Sequence, residues 1–237
     1  MRVLDCSSSI NILYEDNHIL VVEKPANIPS QEDETGDADM LTLLKIYIKE
    51  KYQKPGEVFL GLVHRLDRPV GGVMVFARTS KAASRLSEQI RQHGFKKTYL
   101  AVVHGILEEK SGVLEHILLK NKKTNTVKVV NSSVPDSKEA RLTYEVLEET
   151  DGMSLVMINL QTGRPHQIRV QFSYIGHPLY GDHKYGNIKG PEKTIALRSF
   201  EIELVHPTLK EVMKFNCPPP SIEPWGRFNL FSYEKGV

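Results

Sequence analysis

The stretch His64-Arg65-Leu66-Asp67-Arg68-Pro69-Val70-Gly71-Gly72 sets one carboxylate between two guanidinium groups. Nearby cations favour the ionised form of an acid. An ionised aspartate shielded from water can attack an electrophilic carbon or take a proton. A surface ion-pair knot uses the same residue types, so the neighbouring Gly71-Gly72 matters: it lets a ligand approach the backbone closely. A second stretch, Thr162-Gly163-Arg164-Pro165-His166-Gln167-Ile168-Arg169, reads as a helix opening at Pro165 and closing at Gly176. In that register Ile168, Phe172 and Ile175 face inward, and His166, Arg169 and Ser173 share another side. Arg164 and Arg169 then converge on one anionic point at the helix N-terminus, where the backbone adds partial positive charge. A solvated basic helix end is the competing reading.

The third signal is the distribution of charge. From Arg78 to Lys97 six basic residues (Arg78, Lys81, Arg85, Arg91, Lys96, Lys97) meet one acid, Glu88. Lys120, Lys122, Lys123 and Lys128 add four more with no acid between His116 and Pro135, whereas Glu32, Asp33, Glu34, Asp37 and Asp39 gather between residues 31 and 40. A net charge of +2 over 237 residues is too mild to identify a partner by itself. Its polarisation suits a phosphate backbone, although a wet helix face has the same composition. Tyr99, just after Lys96-Lys97-Thr98, can stack on a base or sit in a core.

Several chemistries are excluded. The Asp67 motif has no second acid for a carboxylate pair, and the chain has no GxSxG elbow and no phosphate-binding Walker loop. Cys6 and Cys217 form no CxxC pair, and His64, His104, His166, His177 and His183 make no HExxH pair. No metal and no cofactor are therefore expected. The N-terminal residues lack an apolar signal core and no apolar run reaches membrane-spanning length, so the expected location is cytoplasmic, away from membranes.

Positioning these residues requires a scaffold. Ile12–Tyr14 and Ile19–Val22 read as a hairpin around Glu15-Asp16-Asn17, with Lys24-Pro25 ending the second strand. Residues 31–40 read as a solvated loop. A helix follows from Asp39, with Leu41, Leu44 and Ile48 on one face and Pro55-Gly56 as its stop. Val73–Ala77 is a strand. Ser80 reads as the cap of a helix with a buried stripe of Ala83, Leu86 and Ile90, ended by Gly94. Strands are expected from Lys96 to Gly105, Val113 to Leu119, Thr126 to Val130, Ala140 to Leu147 and Leu155 to Leu160, and in TIALRSFEIEL and KEVMKF. Strands outnumber helices and short turns join them, which is an α+β layout on a large, mostly antiparallel sheet.

Taken together, HRLDRPVGGVMVFART, FKKTYLAVVHG and TGRPHQIRVQFSYIGHPLYGDHKYG resemble, in order and spacing, the motifs of the RluA-type RNA pseudouridine synthases, and ILYEDNHILVVEKPANI resembles that family's first motif. The resemblance runs from Ile12 to Leu204. It implies a mixed, mostly antiparallel sheet with flanking helices and a central catalytic cleft. Residues 1–237 would form a single catalytic domain, with short tails at 1–10 and 218–237 and no appended RNA-binding module. It implies an isomerase that converts uridine to pseudouridine in structured ribosomal or transfer RNA. Asp67 matches the catalytic aspartate, acting as nucleophile or as base at the ribose. Tyr99 matches the tyrosine that stacks on the target base and can serve as base toward carbon 5. Arg169 matches the basic residue that pairs with the aspartate, and Arg65 an arginine near the extruded nucleotide. His64, Arg68, Lys97, Arg164 and His166 join Arg65 as expected RNA contacts. No cofactor, metal or obligate protein partner is implied, and a monomer is expected.

Two positions depart from the family pattern. Asp67-Arg68-Pro69-Val70-Gly71 stands where many relatives read closer to Asp-x-Thr-Ser-Gly, and Gln171 follows the Ile-Arg-Val run where many have histidine. Two other functions fit the same residues: a non-catalytic RNA-binding or folding factor, and a hydrolase acting on a small anion held by Arg164 and Arg169.

Overall fold

Two apolar runs, Ile19–Val22 and Val73–Ala77, have no solvent-facing side and are fully buried, as strands covered on both faces must be. They lie in β2 (Ile19–Lys24) and β4 (Gly71–Ala77), which pair antiparallel with Val21 opposite Val75. The computed structural model describes residues 10–186 and 194–230. Cys6 and the rest of the expected N-terminal tail up to residue 9 lie outside them, as do residues 231–237. The chain divides into two compact units, Met1–Lys96 with Glu201–Cys217 and Lys97–Phe200 with Pro218–Val237.

In the first unit β1 (Ile12–Glu15) pairs with β2, and the two-residue β3 (Gly61–Leu62) pairs with β4. The turn between β1 and β2 is closed by Asp16, whose Oδ1 accepts from the backbone N–H groups of His18 and Ile19, both at 2.7 Å. Helix α1 (Met40–Lys51) is capped by Asp39, which accepts from Thr42 N. Its buried residues are Met40, Leu43, Leu44 and Ile48; Leu41, expected inward, is only half-buried. Helix α2 (Ser80–Arg91) is capped by Thr79, which accepts from Ala82 N, and not by Ser80, the first helical residue. Both carry a hydroxyl, but only Thr79 has the extended backbone that a cap needs. Ala82 and Leu86 are the buried pair, with Ala83 and Ile90 half-buried against the same core. That helix ends before the expected Gly94 stop, and His93 makes the left-handed turn at φ 58°. The core joins Ile19, Val21, Val73, Val75 and Leu86 to Ile202, Leu204, Phe215 and Cys217. The last four come from the end of β10 (Leu197–Val205), from β11 (Val212–Asn216), which pairs antiparallel with it, and from the residue after β11.

The second unit is a meander of longer strands. Its order is β5-β9-β8-β6-β7, built from β5 (Lys96–His104), β6 (Ser111–Asn121), β7 (Thr126–Val130), β8 (Lys138–Thr150) and β9 (Met153–Leu160). Every pairing among them is antiparallel. Leu100, Val102 and Leu155 form one core with Trp225 and Phe228, so the described part of the expected C-terminal tail is packed. The third helix, α3 (Gln167–Tyr174), starts two residues later than read. Pro165 lies outside it, and His166 takes the N-cap position in a left-handed conformation, φ 52°. Among the described residues, the three α-helices and mostly antiparallel strands are those of the expected α+β class.

Candidate active site

Asp67 sits half-buried on the loop between β3 and β4, and that loop is fastened by its backbone. Lys24, wholly buried at the end of β2, donates from Nζ to the carbonyls of Pro25 (2.9 Å), Arg68 (3.1 Å) and Val70 (2.8 Å). Asn27 N donates to the Arg68 carbonyl at 2.8 Å, and Val70 N closes a turn onto the Asp67 carbonyl at 2.9 Å. Ser30 Oγ both donates to the Leu66 carbonyl and accepts from Leu66 N. The carbonyls on either side of Asp67 are thus pinned by the segment 24–30. Burial pulls the Lys24 ammonium down to about 7, against the attraction of Asp67 and with added repulsion from Arg68. None of this was read from the sequence, where Lys24-Pro25 served only to end a strand. A lysine inside an apolar strand pattern was the available signal.

Arg68 does not face Asp67 as a close counter-charge. Its guanidinium turns to the acidic loop, where it donates to Thr35 Oγ1 at 3.0 Å and to Asp37, with Asp33 at 3.7 Å. The Thr35 hydroxyl and backbone hold Asp33 below the usual carboxylate range, and Arg68, with Thr35, does the same for Asp37. Arg65 is exposed and, among the described residues, takes no hydrogen bond or ion pair from its side chain. His64 accepts the backbone N–H of Val75 on Nε2 at 3.0 Å and packs against Phe95. Its ring completes the edge of β4.

In the second unit Tyr99 lies on β5 opposite Ile158 and is 6% exposed. Arg169, on the first turn of α3, makes a bidentate pair with Asp182, Nε to Oδ2 at 2.8 Å and Nη2 to Oδ1 at 2.7 Å. Both partners are buried, and Asp182 also accepts from Lys184 N and Tyr185 N. The guanidinium lies over the Tyr185 ring at 5.1 Å. Asp182 was missed in the sequence, although it is the lone acid in PLYGDHKYG.

The expected convergence of Arg164 and Arg169 is not found. Arg164 donates from Nε to the Glu139 carbonyl at 2.8 Å, whereas Arg169 is turned to Asp182. The reason is the later helix start: residues 164–166 form a turn, and Arg164 leaves it in another direction. The anion site that supported a small-anion hydrolase is therefore absent from this geometry. His166, Arg169 and Ser173 do share a side, as expected, and all three meet Tyr185: His166 Nδ1 lies 2.6 Å from its hydroxyl and Ser173 Oγ donates to its carbonyl at 2.6 Å. Gln171, at the position where many relatives have histidine, is buried and donates from Nε2 to the carbonyls of Leu114 and Ala140. A hollow of about 450 Å³ in this unit, lined by Val113, Glu115, His116, Arg141 and their neighbours, contains none of the expected site residues.

The model of the family described as RNA pseudouridylate synthase matches residues 18–174, a span that includes Asp67, Tyr99 and Arg169. YjbO of Bacillus subtilis (strain 168), an uncharacterized RNA pseudouridine synthase, is 35% identical over 215 residues, which are 89% of this chain and 73% of that protein. Ribosomal large subunit pseudouridine synthase D of Nitrosomonas europaea is 34% identical over 223 residues, 89% of this chain and 62% of that one. Among solved structures, human RNA pseudouridylate synthase domain containing 4 superposes with a TM-score of 0.77 at 24% identity, covering 92% of each chain. Human RNA pseudouridylate synthase domain containing 1 gives 0.74 at 25%, covering 92% of this chain and 87% of that one. The chain belongs to the RNA pseudouridylate synthase family. Its reaction is the isomerisation of uridine to pseudouridine in RNA.

Proposed function

We propose that Asp67, Tyr99 and Arg169 carry this isomerisation and that the substrate is a structured stem-loop of ribosomal or transfer RNA, met in the cytoplasm. The observation that carries the assignment is the fastening of the Asp67 loop. A half-buried carboxylate whose flanking carbonyls are held by buried Ser30 and Lys24 is preorganised, as a group that must meet a reacting carbon has to be. In the reaction the bond between ribose C1′ and uracil N1 breaks, the base turns, and C1′ bonds to C5. C5 loses its proton and N1 gains one, so no atom is gained or lost overall. Asp67 attacks C1′ or removes the neighbouring ribose proton. Tyr99 stacks on the base and takes the C5 proton. Arg169, aimed by Asp182, is the positive charge that the reaction requires. Detached uracil is a stabilised anion, so no second acid is needed to release it. The base must leave its stack to reach these groups, and exposed Arg65 is placed to hold backbone beside Asp67.

The target is found by mapping. RNA from cells lacking the protein is incubated with the purified enzyme, fractionated into ribosomal and transfer RNA, and read for new pseudouridine. One or a few uridines in paired stems or their loops are expected. Modification scattered over unstructured uridines contradicts the stem-loop assignment.

A further inference from the structure

Lys24 and Lys97 both have ammonium groups that burial pushes below the usual lysine range, yet of the two only Lys24 is satisfied among the described residues. Lys24 has three carbonyls. Lys97 has no such set: among the described residues its Nζ finds neither a hydrogen-bond acceptor nor a carboxylate. It stands two residues before Tyr99 on β5, so both side chains leave the strand on the same face. Its ammonium faces the bare side of Gly163, where a Cβ would lie 3.3 Å from Nζ.

That backbone is itself held. Gln167 Oε1 accepts from Arg164 N at 3.0 Å and from the Thr162 hydroxyl at 2.8 Å, and Gln167 Nε2 donates to the Arg141 carbonyl at 3.1 Å. Arg141 N returns a bond to Thr162 Oγ1 at 2.8 Å. The Gly163 turn is therefore a fixed wall. Arg164, next in the chain, also takes no carboxylate among the described residues. A partly desolvated cation without a counter-charge lowers stability. An arriving anion that provides the charge removes this cost. A partly desolvated ammonium beside a rigid turn suits a group with one negative charge and several acceptor oxygens, which describes a phosphodiester.

Resting on the proposed role of Tyr99 at the target base, we propose that Lys97 contacts the substrate directly and binds an RNA phosphodiester next to the target nucleotide. The exposed lysines of the β6–β7 hairpin can follow any backbone that passes. Lys97 is held in one place and meets one phosphate of a correctly seated RNA.

The test compares Lys97→Met and Lys97→Arg with the wild type, using bulk ribosomal and transfer RNA in binding titrations across about 50 to 200 mM salt. Lys97→Met is expected to weaken binding about tenfold and to reduce the slope of log K against log salt by about one. Lys97→Arg keeps both close to wild type. The thermal midpoint of Lys97→Met is no lower than that of the wild type, since its ammonium makes no hydrogen bond or ion pair with the described residues. Unchanged affinity and slope in Lys97→Met overturn the proposal. So does a fall in turnover at unchanged affinity, which would put the ammonium on the base, and so does a lowered midpoint, which would make the lysine structural. Binding is read without turnover. A wild type that binds RNA but isomerises none contradicts the proposed function while leaving the Lys97 result readable.

Discussion

At the scale of single residues, the groups that react were easier to read than the groups that hold them. Asp67 and Tyr99 stand in contiguous motifs, so their types and neighbours were visible together. The partners come from elsewhere in the chain: Lys24 and Ser30 reach the Asp67 loop from 44 and 36 positions earlier. Arg68 was misread because sequence adjacency suggested a counter-ion for Asp67, whereas an acidic loop about thirty residues upstream takes its guanidinium. Two predictions belong here. Lys24→Met takes one of two donors from the Arg68 carbonyl and the lysine donor from that of Val70, and lets the Asp67 loop drift. A misplacement on the order of 1 Å costs roughly a hundredfold in turnover, to be read as a fall in kcat with RNA affinity maintained. Asp182→Asn removes the charge opposite Arg169 in a buried pair. It is expected to lower unfolding free energy by about 3 kcal/mol or more, measured by urea denaturation, and to lower turnover as well. Wild-type stability in this variant contradicts the structural half of that account.

Elements were legible where hydrophobic period and caps agreed. Strands β1, β2 and β4 were found this way, and helix α1 begins where Asp39 said it should. The late start of α3 was not legible. Pro165 is a good first helical residue by type, but Gln167 folds its side chain back onto residues 162–164 and His166 turns left-handed. A side chain bonding its own upstream loop carries no period. The network around Glu15 gives a prediction at this scale. Glu15 accepts from Tyr47, Lys51 and Tyr52 and pairs with Arg78, tying β1, α1 and the residue after β4 together. Burial alone would raise its carboxyl, but the bonds from Lys51, Tyr52 and Tyr47 and the charge of Arg78 lower it below 4.5. Its folded value is depressed, so its stabilisation is complete above the unfolded value and is lost as pH falls through the folded one. Glu15→Gln is expected to cost about 2 kcal/mol near neutrality. That deficit shrinks on acidification below 4.5. A deficit independent of pH contradicts a charged role.

At the scale of the whole molecule, linear charge density misjudged which cations are available. Of the six basic residues between Arg78 and Lys97, Arg78 pairs with Glu15, Arg91 with Glu88 and Lys96 with Glu203, while Arg85 donates to the Pro207 carbonyl. Their acids lie far away in sequence or one turn along the helix, so the stretch looked more basic than it is. Lys120, Lys122, Lys123 and Lys128 are exposed on the β6–β7 hairpin and, among the described residues, form no ion pair. Replacing these four by alanine is expected to flatten the salt dependence of RNA binding by up to about one unit of slope per lysine. Replacing Arg91 and Lys96 changes it little. Equal effects from the two sets contradict this division.

The central claim is that this chain isomerises uridine in RNA through Asp67. The direct measurement is tritium release from RNA labelled at carbon 5 of uridine, taken from cells lacking the protein, with wild type and Asp67→Asn side by side. Formation of the C1′–C5 bond expels the label from carbon 5. The account predicts release by the wild type and a loss of roughly 10⁴-fold or more in the variant, with RNA binding kept by both. Release by Asp67→Asn at the wild-type rate, or none from either protein, contradicts it.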